Sequence, residues 1–171
     1  MVTGPDDHRV AWLALLAAGA QVLEAALPSP LPGVKPGLAN VITVLVLMEF
    51  GLGSAAWVSL LRVGAGALWL GTLFSPAFFL SAGGALAALA ALALGRRLPP
   101  PGLGPVGYSV LAALAHMGAQ FAIARGWFIP HAGLDALLAP LLTAAVVFGT
   151  ANGIIAAYIL ARRAPRPPCT P

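Results

Sequence analysis

Arg62 stands in a long apolar stretch, with no other charged residue within a dozen positions on either side. Residues around it such as Trp57, Val58, Leu60, Leu61 and Val63 give it no polar surface on which to be solvated. Stretches so poor in charge belong in a lipid bilayer. There, a mid-depth arginine costs about 2.5–3.5 kcal/mol on insertion scales, so it has to face the inside of a bundle and meet a partner. Apolar runs of a length suited to helical spans recur along the chain. Hydrophobic residues make up 60% of the 171 positions and charged ones 8%, too few charges to solvate a globular surface. The expected fold is therefore all-α, a polytopic membrane bundle.

Punctuation by proline, glycine and arginine divides the chain into six spans. Residues 1–9 form a short polar head, 10–161 the transmembrane domain and 162–171 a proline-rich tail expected to be disordered. The first apolar run, 10–27, is near the lower limit for a span. Read as a cleaved signal peptide instead, it has a poor positive flank, since Asp6 and Asp7 oppose Arg9. The segment 28–36 carries four prolines and reads as a loop. The second segment covers 37–49. A third runs from Ser54 to about Leu70, separated from the second by Gly51 and Gly53, because one helix from 37 to 70 would be about 50 Å long. Ser75-Pro76 is an N-cap followed by proline at the first helical position, opening a charge-free fourth helix to Leu94. The fifth is expected at 106–124, with a loop over 125–133 and a short surface turn at 134–139. The sixth is expected to open at Pro140 and end near Ala161.

Six spans place both ends of the transmembrane domain on one side of the membrane. That side carries Arg9, Arg96, Arg97, Arg162, Arg163 and Arg166, against Lys35 and Arg125 on the other. The bias predicts cytoplasmic termini in a bacterial inner membrane. The same placement makes these arginines topology signals, so the net charge of +4 does not point to nucleic acid. Cys169 is the single cysteine, so there is no internal disulfide.

The intramembrane polar residues fall at matching depths. Arg62 lies roughly 12 Å from either end of its segment. Glu24 is in the outer third of the first helix, Asn40 one turn into the second, His116 near the middle of the fifth, and Gln120 one turn further on the same face. A purely structural role would pair Arg62 with Glu24, bond His116 to a backbone carbonyl and leave Asn40 and Asn152 as helix staples. The functional reading is an outward-opening cavity lined by Glu24, Lys35, Asn40, Arg62, His116 and Gln120, whose positive members suit a carboxylate or phosphate. Glu49 reads as a solvated interfacial carboxylate. Ala14 and Ala18 form a small-xxx-small pair that would let a partner helix approach. No HExxH, GxSxG or Walker A motif occurs, and Asp6-Asp7 is the only adjacent acidic pair, so neither catalysis nor a metal site is expected.

The blocks Pro32-Gly33-Val34-Lys35-Pro36-Gly37-Leu38-Ala39-Asn40 with Thr43, Leu61-Arg62-Val63, and Gly71-Thr72-Leu73-Phe74-Ser75-Pro76-Ala77-Phe78 with Ser81 and Gly83-Gly84 closely resemble the Gx transporter family. That family is also labelled heptaprenyl diphosphate synthase component I. The resemblance continues through Ser109, Ala113, His116 and Gln120, with Met117 where the family usually has asparagine. It implies a fold similar to the S-components of energy-coupling-factor transporters: a six-helix membrane protein whose outward pocket binds a vitamin or other small molecule. Ala14 and Ala18 match the docking pattern of that class. The implied partners are a transmembrane coupling subunit and ATPases. The implied ligands are a flavin, a quinone precursor or an isoprenoid diphosphate. Two further expectations remain open: a membrane subunit of a prenyl diphosphate, quinone or electron-transfer complex, and an enzyme using His116 as acid or base.

Overall fold

A computed structural model describes residues 5–26, 37–99 and 102–163. The turn carrying Lys35 and the tail carrying Cys169 lie outside the described residues, as does the start of the polar head. Among the described residues there are six α-helices and no strand: α1 (Pro5–Ala26), α2 (Leu38–Phe50), α3 (Leu52–Trp69), α4 (Pro76–Gly95), α5 (Pro105–Ile123) and α6 (Leu138–Arg163). Four stretches are long and apolar enough to cross a membrane: α3, α4, α5 with the turn that extends it, and α6 with the turn that precedes it. The 13 residues of α2 make it a shorter apolar helix of about 20 Å. The fold is an all-helical bundle of membrane type.

Local chemistry accounts for the helix ends. Gly51 divides α2 from α3 with φ 87° and ψ −178°, a conformation that residues with a Cβ rarely adopt, while its N–H donates to the Leu47 carbonyl at 3.2 Å. Two short helices therefore replace a single one that would overrun the bilayer. The Ser75 hydroxyl accepts from the Phe78 N–H at 3.4 Å, and Pro76 follows at the first helical position. Just before this cap, Phe74 takes a left-handed φ of 63°. A non-glycine residue held there stores roughly 1–3 kcal/mol of strain.

The structure differs from the sequence expectation at three ends. α1 begins at Pro5 and takes in much of the polar head, because a proline is well tolerated in the first turn. The loop expected from Arg125 is instead a π-helical turn, Ala124–Phe128, continuing α5. Arg125 Nε donates to Asp135 Oδ1 at 2.8 Å, tying that turn to a 3₁₀ helix, Ala132–Leu137, where a surface turn was expected. α6 then starts at Leu138, with Pro140 inside its first turn.

Contacts between ends set the helix directions. Arg163 at the end of α6 holds the Glu49 carboxylate near the end of α2, at 3.0 Å to each oxygen. Arg96, just after α4, lies beside the Gly51 turn. Arg9 and Trp12 share a groove with Glu49 and Arg163. The described termini and these arginines thus gather at one end, called here the terminal end. Glu49 is an ion-pair partner there rather than simply a solvated carboxylate.

The apolar core occupies this terminal half. Ala14 and Ala17 of α1 pack with Val46, Leu47, Ala55, Val58, Leu92 and Ala112. Ala14 and Ala18 are both buried, and α1 packs on α2 and α3. This corrects the expected docking role: the close approach that the alanine pair permits is made inside the chain, not on a free face. Gly149 and Gly153 do the same for α6 against α5. A Cβ on Gly153 would lie 2.5 Å from the Val106 Cα, so these two backbones touch nearly directly.

Candidate functional site

At the end opposite the termini the six helices part around a cavity of about 280 Å³. The lining residues follow from the alternating helix directions. They come from the C-terminal parts of α1, α3 and α5 and from the N-terminal parts of α2, α4 and α6. α1 contributes Gln21 and Glu24, α2 contributes Asn40, and Arg62 and Val63 come from α3. Ser81 comes from α4, His116 and Gln120 from α5, and Phe148 and Asn152 from α6. Five of the residues singled out in the sequence therefore meet in one place: Glu24, Asn40, Arg62, His116 and Gln120. The sixth, Lys35, lies outside the described residues.

Arg62 is the electrostatic centre. It is 8% exposed, and its Nε has no hydrogen-bond partner. A buried donor left unpaired costs about 1–3 kcal/mol. The Glu24 carboxylate, 5% exposed, acts on it through space, and the His116 ring lies within the field of Arg62 in turn. Glu24 thus supplies the counter-charge that a buried guanidinium requires.

The His116 ring is seated by a glycine. A Cβ on Gly84 would fall 2.7 Å from its Cε1 and 2.8 Å from either ring nitrogen. Only the bare backbone of α4 leaves room for the imidazole to turn toward the cavity. Gln21 is placed the same way, its carboxamide lying over Gly66 of α3. Asn152 does two jobs: its Nδ2 donates to the Gly37 carbonyl at 3.1 Å, stapling α6 to the start of α2, and it lines the cavity as well. Thr43, in contrast, turns its hydroxyl back to the Ala39 carbonyl at 3.2 Å and stays out of the site.

Sequence reasoning passed over Gln21 and Phe148, and named Ser81 only among the residues that carry the family resemblance. Gln21 had a signal, being three residues from Glu24 on the same helical face. Phe148 had none beyond its position in an apolar helix. Met117 joins the lining beside His116 and adds a thioether to it.

As a chemical environment, the cavity combines one donor-only cation, one carboxylate, four carboxamides, a hydroxyl and an imidazole, set among apolar walls. That is the make-up of a small-molecule site: mostly apolar, with a few convergent polar groups. No group of three His, Cys, Asp or Glu side chains suited to a metal occurs among the described residues.

Comparison with known families finds one match: a model described as heptaprenyl diphosphate synthase component I covers residues 13–159. Comparison with curated proteins and with solved structures gives no match.

Proposed function

The chain belongs to the heptaprenyl diphosphate synthase component I family, and from that membership and the cavity together we propose that it is an integral membrane protein that binds a small molecule and assists its transport. It works in the manner of an S-component, with energising partner subunits. The observation that carries this reading is the unpartnered Arg62 Nε beside Glu24, in a cavity framed by all six helices. Ionisable groups held inside a membrane bundle mark ligand and ion pathways. The positive-inside bias sets the terminal end in the cytoplasm of a bacterial cell and turns the cavity to the outer face. In this orientation the site loads from outside, and no chemical step is required of it. The ligand classes are vitamin-, flavin- or quinone- and isoprenoid-related compounds.

The family description favours a second reading, a non-transporting membrane subunit of a prenyl diphosphate or quinone complex. Two measurements on the full chain separate them. Mass spectrometry of small molecules co-purifying with the protein from its native membrane, followed by uptake of the molecule found, supports transport when deletion abolishes uptake. Undiminished uptake after deletion, with a soluble prenyl synthase subunit co-purifying and prenyl product lost, sinks transport in favour of the second reading.

A further inference from the structure

The described lining of the cavity has a charge balance and a size that narrow its ligand. Its charged side chains are Arg62 and Glu24, one of each sign. A ligand with several negative charges would gain the guanidinium and meet the carboxylate beside it in a poorly solvated space, where like charges repel strongly. The volume of about 280 Å³ lies at the small end of ligand pockets, which run from roughly 300 to 1,000 Å³, and so suits a compact molecule.

What remains is a pattern of paired donors and acceptors. Arg62 only donates, and an ionised Glu24 only accepts. The carboxamides of Gln21, Asn40 and Gln120 do both, and each such group matches an N–H next to a C=O on the ligand. Phe148, Val63 and Leu80 give the same space apolar walls suited to a flat ring.

We propose that the ligand is a compact, overall uncharged heterocycle bearing lactam or imide edges, with a carbonyl oxygen toward Arg62 and an N–H toward Glu24, and that Glu24 excludes diphosphates. This rests on the reading of the cavity as a ligand site. Glu24 acts as a specificity device by repelling the wrong ligand rather than by gripping the right one.

The test uses the full chain in detergent micelles and three probes: lumichrome as an uncharged tricyclic imide, inorganic diphosphate, and geranyl diphosphate. Binding is read by probe titration and by the shift in unfolding midpoint. The expected result is that lumichrome binds wild type at least tenfold more tightly than either diphosphate. Glu24→Gln, which leaves Arg62 unbalanced, then gains at least tenfold in geranyl diphosphate affinity. Absence of lumichrome binding overturns the proposal. So does a diphosphate bound as tightly as lumichrome by wild type, or one that Glu24→Gln does not favour. Failure of the underlying site reading has a different signature: lumichrome binds, but Arg62→Ala leaves its affinity unchanged.

Discussion

The two ends of the bundle are built from the same six helices and solve opposite problems. At the terminal end, alanines of α1 meet Val46, Leu47, Ala55, Val58 and a fully buried Leu92, and arginines rim the surface. At the other end, the helices part and turn glutamate, arginine, histidine and carboxamides inward. One end is closed by close packing, which gains dispersion energy with no polar group to satisfy. The other leaves a buried guanidinium nitrogen unpaired. The contrast teaches that apolar packing and the polar lining fall at opposite ends of the bundle. On the proposed function, the terminal half holds the helices in place and the distal half takes the ligand.

If that division is real, substitutions should sort by end. The largest expected loss of stability is from Leu92→Ala, which opens a cavity in the terminal core. It should cost about 2–4 kcal/mol, read as unfolding by denaturing detergent in mixed micelles, with ligand affinity unchanged in the protein that remains folded. Gly153→Ala comes next. Its Cβ would meet the Val106 backbone at 2.5 Å, and since backbone yields poorly, we expect about 1–3 kcal/mol of destabilisation by the same assay. Gly84→Ala sharpens the comparison from the other side. The three atoms nearest to the new methyl all belong to the His116 ring, within 2.8 Å, and a side chain can rotate away. Ligand affinity should fall about tenfold, equivalent to ~1.4 kcal/mol, with little change in unfolding. The smallest effect is expected from Arg163→Ala. Its pairing with Glu49 is half-exposed, and such pairs contribute about 0–1 kcal/mol. A loss of several kcal/mol there would mean that the arginine rim, not the apolar core, closes the terminal end.

The helices were legible because their punctuation is chemical. Gly51 permits a backbone conformation that other residues rarely adopt, and Ser75-Pro76 is a cap that cannot easily sit elsewhere. The polar lining was legible in large part because charged and amide side chains inside apolar spans have few places to go; Glu24, Asn40, Arg62, His116 and Gln120 converge on that account. Other features depend on contacts that no local pattern encodes. Ser81 and Phe148 enter the lining only through the packing of α4 and α6. The seat of the His116 ring depends on Gly84 of another helix. The alanine pair of α1 reads equally well as an inner or an outer contact until its neighbours are known. The π-helical turn after α5 has no local signal, because Arg125 interrupts the apolar run. Its ion pair with Asp135, ten residues on, ties the turn to the 3₁₀ helix that follows.

The central claim is that Arg62 serves a ligand and not the fold. Arg62→Ala in the full chain, with small molecules co-purifying from the native membrane counted by mass spectrometry and the unfolding midpoint measured in the same preparation, tests it most directly. The account predicts that the bound molecule is lost while the midpoint stays within a few degrees of wild type. A variant that keeps the molecule, or one that fails to fold, would contradict it and make Arg62 a structural residue.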